Sequence, residues 1–301
     1  IACHNAYHGS TQGALSLSGD ENFKRNYRPL LPDIRHIQHG DWADLQQITS
    51  RTAAVIMEVV QGEAGVRVPL PAYLHAVRER CTAVGTLLIF DEIQTGFGRT
   101  GSFWAFQGID PSGKAVVPDM VVSAKGMGGG MPIGAFIAPE PLMAVIKNNP
   151  MLGHITTFGG HPVSCAASLA TLQTIQNDQL FADAERKGQL IRSLLVHPRI
   201  REVRGKGLML AAEFESFDVL KPIIDRAIHP RSRQTGESTP GASTPGESTP
   251  GIITDWFLFC NNSMRIAPPL TITDDEIRLA CEVILASIDS LETQPLLAGV
   301  A

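Results

Sequence analysis

Lys125 closes an apolar run, Met120-Val121-Val122-Ser123-Ala124, and opens onto Gly126-Met127-Gly128-Gly129-Gly130. Upstream, a second apolar run, Leu87-Leu88-Ile89-Phe90, ends in Asp91-Glu92. An amine and an acid, each at the tip of a hydrophobic strand, meet the two demands of pyridoxal 5'-phosphate chemistry. The amine condenses with the cofactor's aldehyde. The acid faces the pyridine nitrogen and keeps it protonated, so that the ring accepts electrons. Taken singly, a lysine after a strand is a common surface feature. A buried acid can equally be a satisfied ion pair or a helix cap. The glycine run after Lys125 adds weight, because glycines let the backbone approach a bulky planar ligand.

Further candidates surround this pair. Gln94 follows Asp91 within one turn and can donate to the ring's phenolic oxygen. Tyr7-His8-Gly9 follows the first strand, so Tyr7 and His8 are candidate cofactor contacts. An aromatic there can stack on the ring, although core packing explains it equally well on local evidence. Thr156-Thr157-Phe158-Gly159-Gly160 precedes a helix opened by Pro162. Hydroxyls and free amides at such a place suit a phosphate, and they also suit a plain cap. Arg265 lies between apolar neighbours, ahead of Pro268-Pro269. A bidentate hold on a substrate carboxylate is one use for it, and a structural ion pair is another. Glu63, after the run at 53–60, is the acid available to pair with it. The glycine run after Lys125 is neither a Walker nor a dinucleotide fingerprint, because it follows its lysine and has the wrong spacing.

The elements that must hold these residues read as alternating α and β. The runs at 53–60, 86–90 and 120–124 are nearly continuous in apolar residues, as in strands covered on both faces. Between the first two, 71–84 has one polar face and predicts a helix. That order is a βαβ unit, so the sheet is expected to be parallel or mixed. Ligands of such sheets sit beyond the carboxyl ends of the strands, where Asp91 and Lys125 fall. Strands are also predicted at 134–138, 200–203, 208–214, 257–259 and 264–266. Helices are predicted at 140–146, 162–172, 180–195, 219–228 and 274–291, the last opened by a Thr273/Glu276 capping pair. The division between a large cofactor domain (1–178) and a small α+β domain (179–301) is placed near residue 178.

Three pentads, Glu237 to Gly241, Ala242 to Gly246 and Glu247 to Gly251, repeat Ser-Thr-Pro-Gly. They carry nothing that anchors a core, so 232–251 is expected to be a low-complexity surface loop.

The chain has 301 residues, 44% of them hydrophobic, enough for one large domain and a smaller one. The net charge is -5 and the basic residues are dispersed, which argues against nucleic acid as a partner. No apolar stretch reaches membrane-spanning length. Cysteines at 3, 81, 165, 260 and 281 form no CxxC and no half zinc site, so no metal is expected. Reduced, mostly buried thiols in a cytoplasmic protein are the expectation. The chain opens on Ile1-Ala2-Cys3, like the inside of a strand, so further upstream sequence is expected.

Several stretches together resemble the class III, or ω-amino-acid, pyridoxal-phosphate aminotransferases, and most of all their acetylornithine and ornithine branch. These are Glu58 to Gly65, Phe90 to Gly101, Pro118 to Gly126, Thr157 to Gly160 and Arg265 to Pro269. The resemblance implies the fold type I transferase: a large, mostly parallel mixed sheet flanked by helices, a smaller C-terminal α+β domain, and a homodimer. It implies Lys125 as the cofactor-attaching lysine and proton carrier, Asp91 at the ring nitrogen, Gln94 at the ring oxygen and Tyr7 stacked on the ring. It implies that Thr157 reaches the phosphate in the neighbouring subunit. Arg265 would bind the α-carboxylate of glutamate or 2-oxoglutarate, and Glu63 would pair with Arg265 while an ω-amine or N-acetylornithine-like donor is bound.

Three departures stand out. Ser10 follows Tyr7-His8-Gly9 where many members of that branch have an arginine for a second carboxylate. The upstream glycine-rich phosphate loop is absent. The pentads interrupt the small domain. The alternatives to an aminotransferase are a non-catalytic fragment or degenerate paralogue of the same fold, and an aminomutase that returns the amine to the same substrate.

Overall fold

The computed structural model describes residues 1–229 and 250–292. The pentad repeat lies outside the described residues except for Pro250 and Gly251.

A parallel pair, β1 (Ala2–Cys3) and β2 (His36–Ile37), flanks the main sheet. The main sheet runs β3 (Ala54–Glu58), β4 (Leu87–Asp91), β5 (Met120–Ser123), β6 (Ala135–Ile137). The first three strands are parallel and β6 is antiparallel, so the sheet is mixed. The Pro71–Val84 helix makes the crossover between β3 and β4. Pro71 sits in its first turn, where a missing N–H costs nothing. Gly85 ends it at φ 75°, a left-handed conformation that favours glycine. Its Tyr73, Leu74, Val77 and Cys81 pack against Val55, Met57, Leu88 and Phe90, all fully buried. Each such aliphatic side chain contributes about 1.5–3 kcal/mol by leaving water. Register then fixes the site: Glu58 pairs with Asp91, and Asp91 with Val122, so three parallel strands end at one level.

A second sheet, in the order β7 (Glu202–Lys206), β8 (Met209–Glu213), β10 (Cys260–Ile266), β9 (Trp256–Phe257), is antiparallel. Helices Ala184–Leu194, Phe217–Ile228 and Asp274–Glu292 cover it around Leu208, Leu210, Phe214, Leu220 and Ile288. Met209, Ala211 and Phe257 turn the other way and join the core of the main sheet. The capping pair forms as the spacing predicts, with Thr273 N–H donating to Glu276 Oε2 at 2.8 Å and Glu276 N–H to Thr273 Oγ1 at 3.3 Å.

Several elements differ from the sequence expectation: the strand predicted at 200–203 runs Glu202–Lys206, that at 264–266 runs Cys260–Ile266, and the helix predicted at 140–146 ends at Ala144. The predicted strand at 257–259 is a strand only at Trp256–Phe257. The Leu258 and Phe259 amides donate to Glu63 instead of to a neighbouring strand. The predicted helix at 180–195 runs Ala184–Leu194, with the residues before it, from Gln179 at φ 50°, in turns.

Among the described residues no helix is long and apolar enough to cross a membrane, and no cluster of three His, Cys, Asp or Glu side chains is placed to hold a metal. The five cysteines are free thiols. Beyond β6 the chain exposes Val145, Met151, Ile155 and Phe158, each at 70% or more. The Pro162–Asn177 helix adds exposed Val163 and Leu169 and buries only Ser164 and Ile175.

Candidate active site

Asp91 is the last residue of β4 and its side chain is 7% exposed. One carboxylate oxygen accepts from the Ile93 amide at 3.0 Å. The other lies 2.7 Å from His8 Nδ1. Burial disfavours a charged His8, but the hydrogen bond and charge of Asp91, with the charge of Glu58, outweigh it and raise the imidazole pKa. His8 Nε2 is buried without a hydrogen-bond partner.

Lys125 follows β5 at φ 49°, a left-handed conformation for a residue with a side chain. Such backbone costs of the order of 1–3 kcal/mol and collects at functional sites. The turn that carries it, Lys125–Gly128, packs against the Pro162–Asn177 helix. Gly129 allows the approach, since a Cβ there would stand 2.0 Å from Thr171 Oγ1. Lys125 keeps solvent access through the open cavity, yet its surroundings desolvate the amine and lower its pKa, with Glu63 and Asp91 offsetting only part of this. More of the amine is therefore neutral and nucleophilic near neutral pH than for a free lysine.

A cavity of about 200 Å³ brings Tyr7, His8, Glu58, Asp91, Gln94 and Lys125 together. It adjoins a larger one of about 750 Å³, and Ile93, Gln94 and Lys125 line both. Arg265 of β10 stands at the larger cavity among Val66, Phe97, Phe257 and Leu270. Its Nη2 donates to both oxygens of Glu63, at 3.0 and 3.1 Å, and its Nε to Asp255 at 2.7 Å. The guanidinium carbon lies 4.4 Å from the centre of the Phe257 ring, a cation–π contact. Burial would weaken the Arg265 charge, but the two carboxylates outweigh it and raise its pKa. Burial would likewise raise Glu63, but Arg265, the Leu258 amide and the Gln94 amide hold it below the ordinary carboxylate value.

Several candidates take positions that sequence alone left open. Gln94 spends its amide on Glu63 at 3.0 Å, linking Asp91's turn to the Arg265 pair. The Tyr7 hydroxyl lies 3.0 Å from Ser10 Oγ, and Tyr7 lines the smaller cavity. Thr156 and Thr157 are exposed and line a different cavity, of about 530 Å³, which shares no lining residue with the other two. Within one chain they are not brought to Lys125.

Two buried acids went unassigned in the sequence. Glu58 ends β3 as Asp91 ends β4, and that parallel was the available signal. It accepts from the Gly62 amide at 2.7 Å and the Tyr7 amide at 3.3 Å, and burial with the nearby Asp91 pushes it up to about 7. Glu92 accepts from Thr95 Oγ1 and from the Ala105 and Phe106 amides, so it is a structural cap, and burial pushes it to about 7.

The family profile described as class-III aminotransferase matches residues 1–288. The chain belongs to the class-III aminotransferase family. It is 44% identical over 216 residues to the acetylornithine aminotransferase of Methanopyrus kandleri, which covers 71% of this chain and 54% of that protein. The chain thus spans about half the length of that curated relative. Its fold resembles an ornithine aminotransferase from Toxoplasma gondii, with a TM-score of 0.81 and 32% identity over 97% of this chain and 64% of that one. That structure is described as holding pyridoxal phosphate at partial occupancy in its active site. An amine transaminase from an uncultivated Pseudomonas species gives a TM-score of 0.79 and 28% identity over 96% of this chain and 69% of that one. The fold is therefore that of the pyridoxal-phosphate transaminases, as the class-III resemblance implied.

Proposed function

We propose that the protein transfers an amino group from an ω-amine or ornithine-like donor to 2-oxoglutarate, using pyridoxal 5'-phosphate. The observation that carries this reading is the convergence of Lys125 and buried Asp91 on one cavity, with Arg265, paired to Glu63, lining the larger cavity that adjoins it. The residues fit the cofactor. A buried carboxylate suits a ring nitrogen that must stay protonated, a neutral-leaning amine suits an aldehyde, and the Tyr7 ring suits a planar face. When bound, the cofactor supplies an aldehyde for the donor's nitrogen and a ring that takes up the electron pair released at the amine-bearing carbon.

The chain's own groups do the rest. Asp91, held by His8 and the Ile93 amide, keeps a negative charge at the floor of the cavity. Lys125 Nζ removes the proton from the amine-bearing carbon and returns it on the cofactor side, as general base and then acid. Arg265 binds the α-carboxylate of glutamate or 2-oxoglutarate. For a donor without that carboxylate, Arg265 stays with Glu63, which keeps a charge from being buried alone.

Arg265→Ala therefore damages the glutamate half-reaction more than the ω-amine half-reaction. Losing one side of a desolvated charged contact costs about 2–5 kcal/mol, so glutamate kcat/KM falls by at least about thirtyfold. Stopped-flow conversion of each cofactor form with each substrate reads this. Equal losses in both halves would return Arg265 to a purely structural role.

A second copy of the chain covers the exposed Met151–Phe158 face, and Thr157 serves the partner's phosphate site. Phe158→Glu is expected to shift sedimentation from dimer to monomer and to weaken cofactor retention. An unchanged dimer would place the contact elsewhere.

A further inference from the structure

Glu58 is a buried acid with no part in the reaction as described so far. It stands at the end of β3, in register with Asp91 across one pair of parallel strands. Its side chain lines the same cavity as His8, Asp91 and Lys125. Its two amide donors, from Tyr7 and Gly62, come from the segments that flank the cavity. His8 bonds Asp91 through Nδ1 and leaves Nε2 buried and unpaired. Two carboxyl groups and one imidazole thus share a desolvated space beneath the place proposed for the ring.

We propose that Glu58 is a positioning residue for the reaction: its carboxylate holds His8 in the imidazolium form, so that Asp91 faces the cofactor ring as an anion fixed by a charged hydrogen bond. The proposal rests on Asp91 serving the ring nitrogen. Two acids that share one small buried cavity cannot both ionise cheaply without a cation beside them, and His8, which lines the same cavity and already bonds Asp91, is that cation. The other titratable groups around Glu58 do not supply one. His39 Nε2 lies 3.2 Å from the Glu58 carbonyl oxygen, and burial lowers this imidazole to about 4, so it is neutral. The Cys3 thiol of β1 is pushed up to about 12 by burial and stays protonated. Lys125 adds positive charge from the end of β5, but its amine is committed to the chemistry and leans neutral. The three groups titrate as one unit, whose steps belong to the cluster and not to any one residue. Since Glu58 sits at about 7, the cluster changes charge near neutral pH.

The test is the His8 titration, followed by NMR of ring-labelled histidine in the protein loaded with pyridoxal 5'-phosphate, alongside the pH profile of kcat. In the wild type, the His8 curve carries a second inflection where Glu58 titrates. In Glu58→Gln, His8 titrates lower than in the wild type, kcat falls about tenfold with KM nearly unchanged, and the rise of kcat through neutral pH flattens. Glu58→Asp, which keeps the charge, restores most of the His8 shift. A single-site His8 curve in the wild type overturns the proposal without any substitution, even if Glu58→Gln fails to fold. An unmoved His8 titration in a folded Glu58→Gln protein also overturns it, leaving Glu58 as a binder of two amides. The same His8 curve is recorded in the cofactor-free protein, so failure of the broader functional reading, a wild type that binds no cofactor, is told apart from failure of this proposal.

Discussion

Lys125→Ala is expected to abolish the covalent hold on pyridoxal 5'-phosphate and to lower amino transfer by at least about a thousandfold. Among the described residues, Lys125 is the one lysine that lines both adjoining cavities. Its strained left-handed backbone and desolvated side chain present a nucleophile at the end of β5. On the proposed reading the substitution removes the cofactor's attachment and the group that moves the proton, and positioned proton transfer alone is worth about 10²–10⁴ in rate. Borohydride reduction followed by peptide mass spectrometry reads the attachment directly. A variant that still shows a reducible cofactor linkage would mean another amine makes it.

Asp91→Asn is expected to leave the fold intact and cofactor bound while slowing turnover by several orders of magnitude. The amide keeps the shape of the carboxylate, and its oxygen can still accept from Ile93. It cannot hold the negative charge that the ring nitrogen needs, nor stabilise a charged His8 at 2.7 Å. That charge matters most as electrons move into the ring, so the loss falls on the transition state more than on binding. Single-turnover kinetics isolate the step. A loss of less than about tenfold, or about 1.4 kcal/mol, would remove the electronic role from Asp91 and leave it a structural partner of His8.

The sequence showed where the strands end but not what their tips touch. Continuous apolar runs located β3, β4 and β5, because strands covered on both faces admit few polar residues. Asp91 and Lys125 stood out for the same reason, as polar residues at the limits of those runs. The βαβ order followed from the one-sided helix between β3 and β4 and from a proline and a glycine at its two ends. Contacts between segments distant in sequence were harder to read. Nothing in Tyr7-His8-Gly9 signals that His8 meets Asp91 across the sheet end, because that contact depends on how β1 docks beside β3. The shortened strand at Trp256–Phe257 has a similar cause: Glu63, far away in sequence, captures the amides that would have continued it. Pairing of Glu63 with Arg265 was expected from the resemblance, whereas Asp255, Gln94 and the face of Phe257 were found only in the structure. The Pro162–Asn177 helix was legible as a helix, but the exposure of its apolar Val163 and Leu169 was not.

Amino transfer itself is the most direct test of the central claim. The protein, loaded with pyridoxal 5'-phosphate, is incubated with 2-oxoglutarate and a donor labelled with ¹⁵N at its transferable amine, with ornithine, N-acetylornithine and a simple ω-amino acid tried in turn. Mass spectrometry then follows the label. The account predicts ¹⁵N-glutamate from at least one donor, with none formed by Lys125→Ala. Label that moves along the donor's own skeleton, or a protein that binds the cofactor yet passes no label to 2-oxoglutarate from any of these donors, would contradict it.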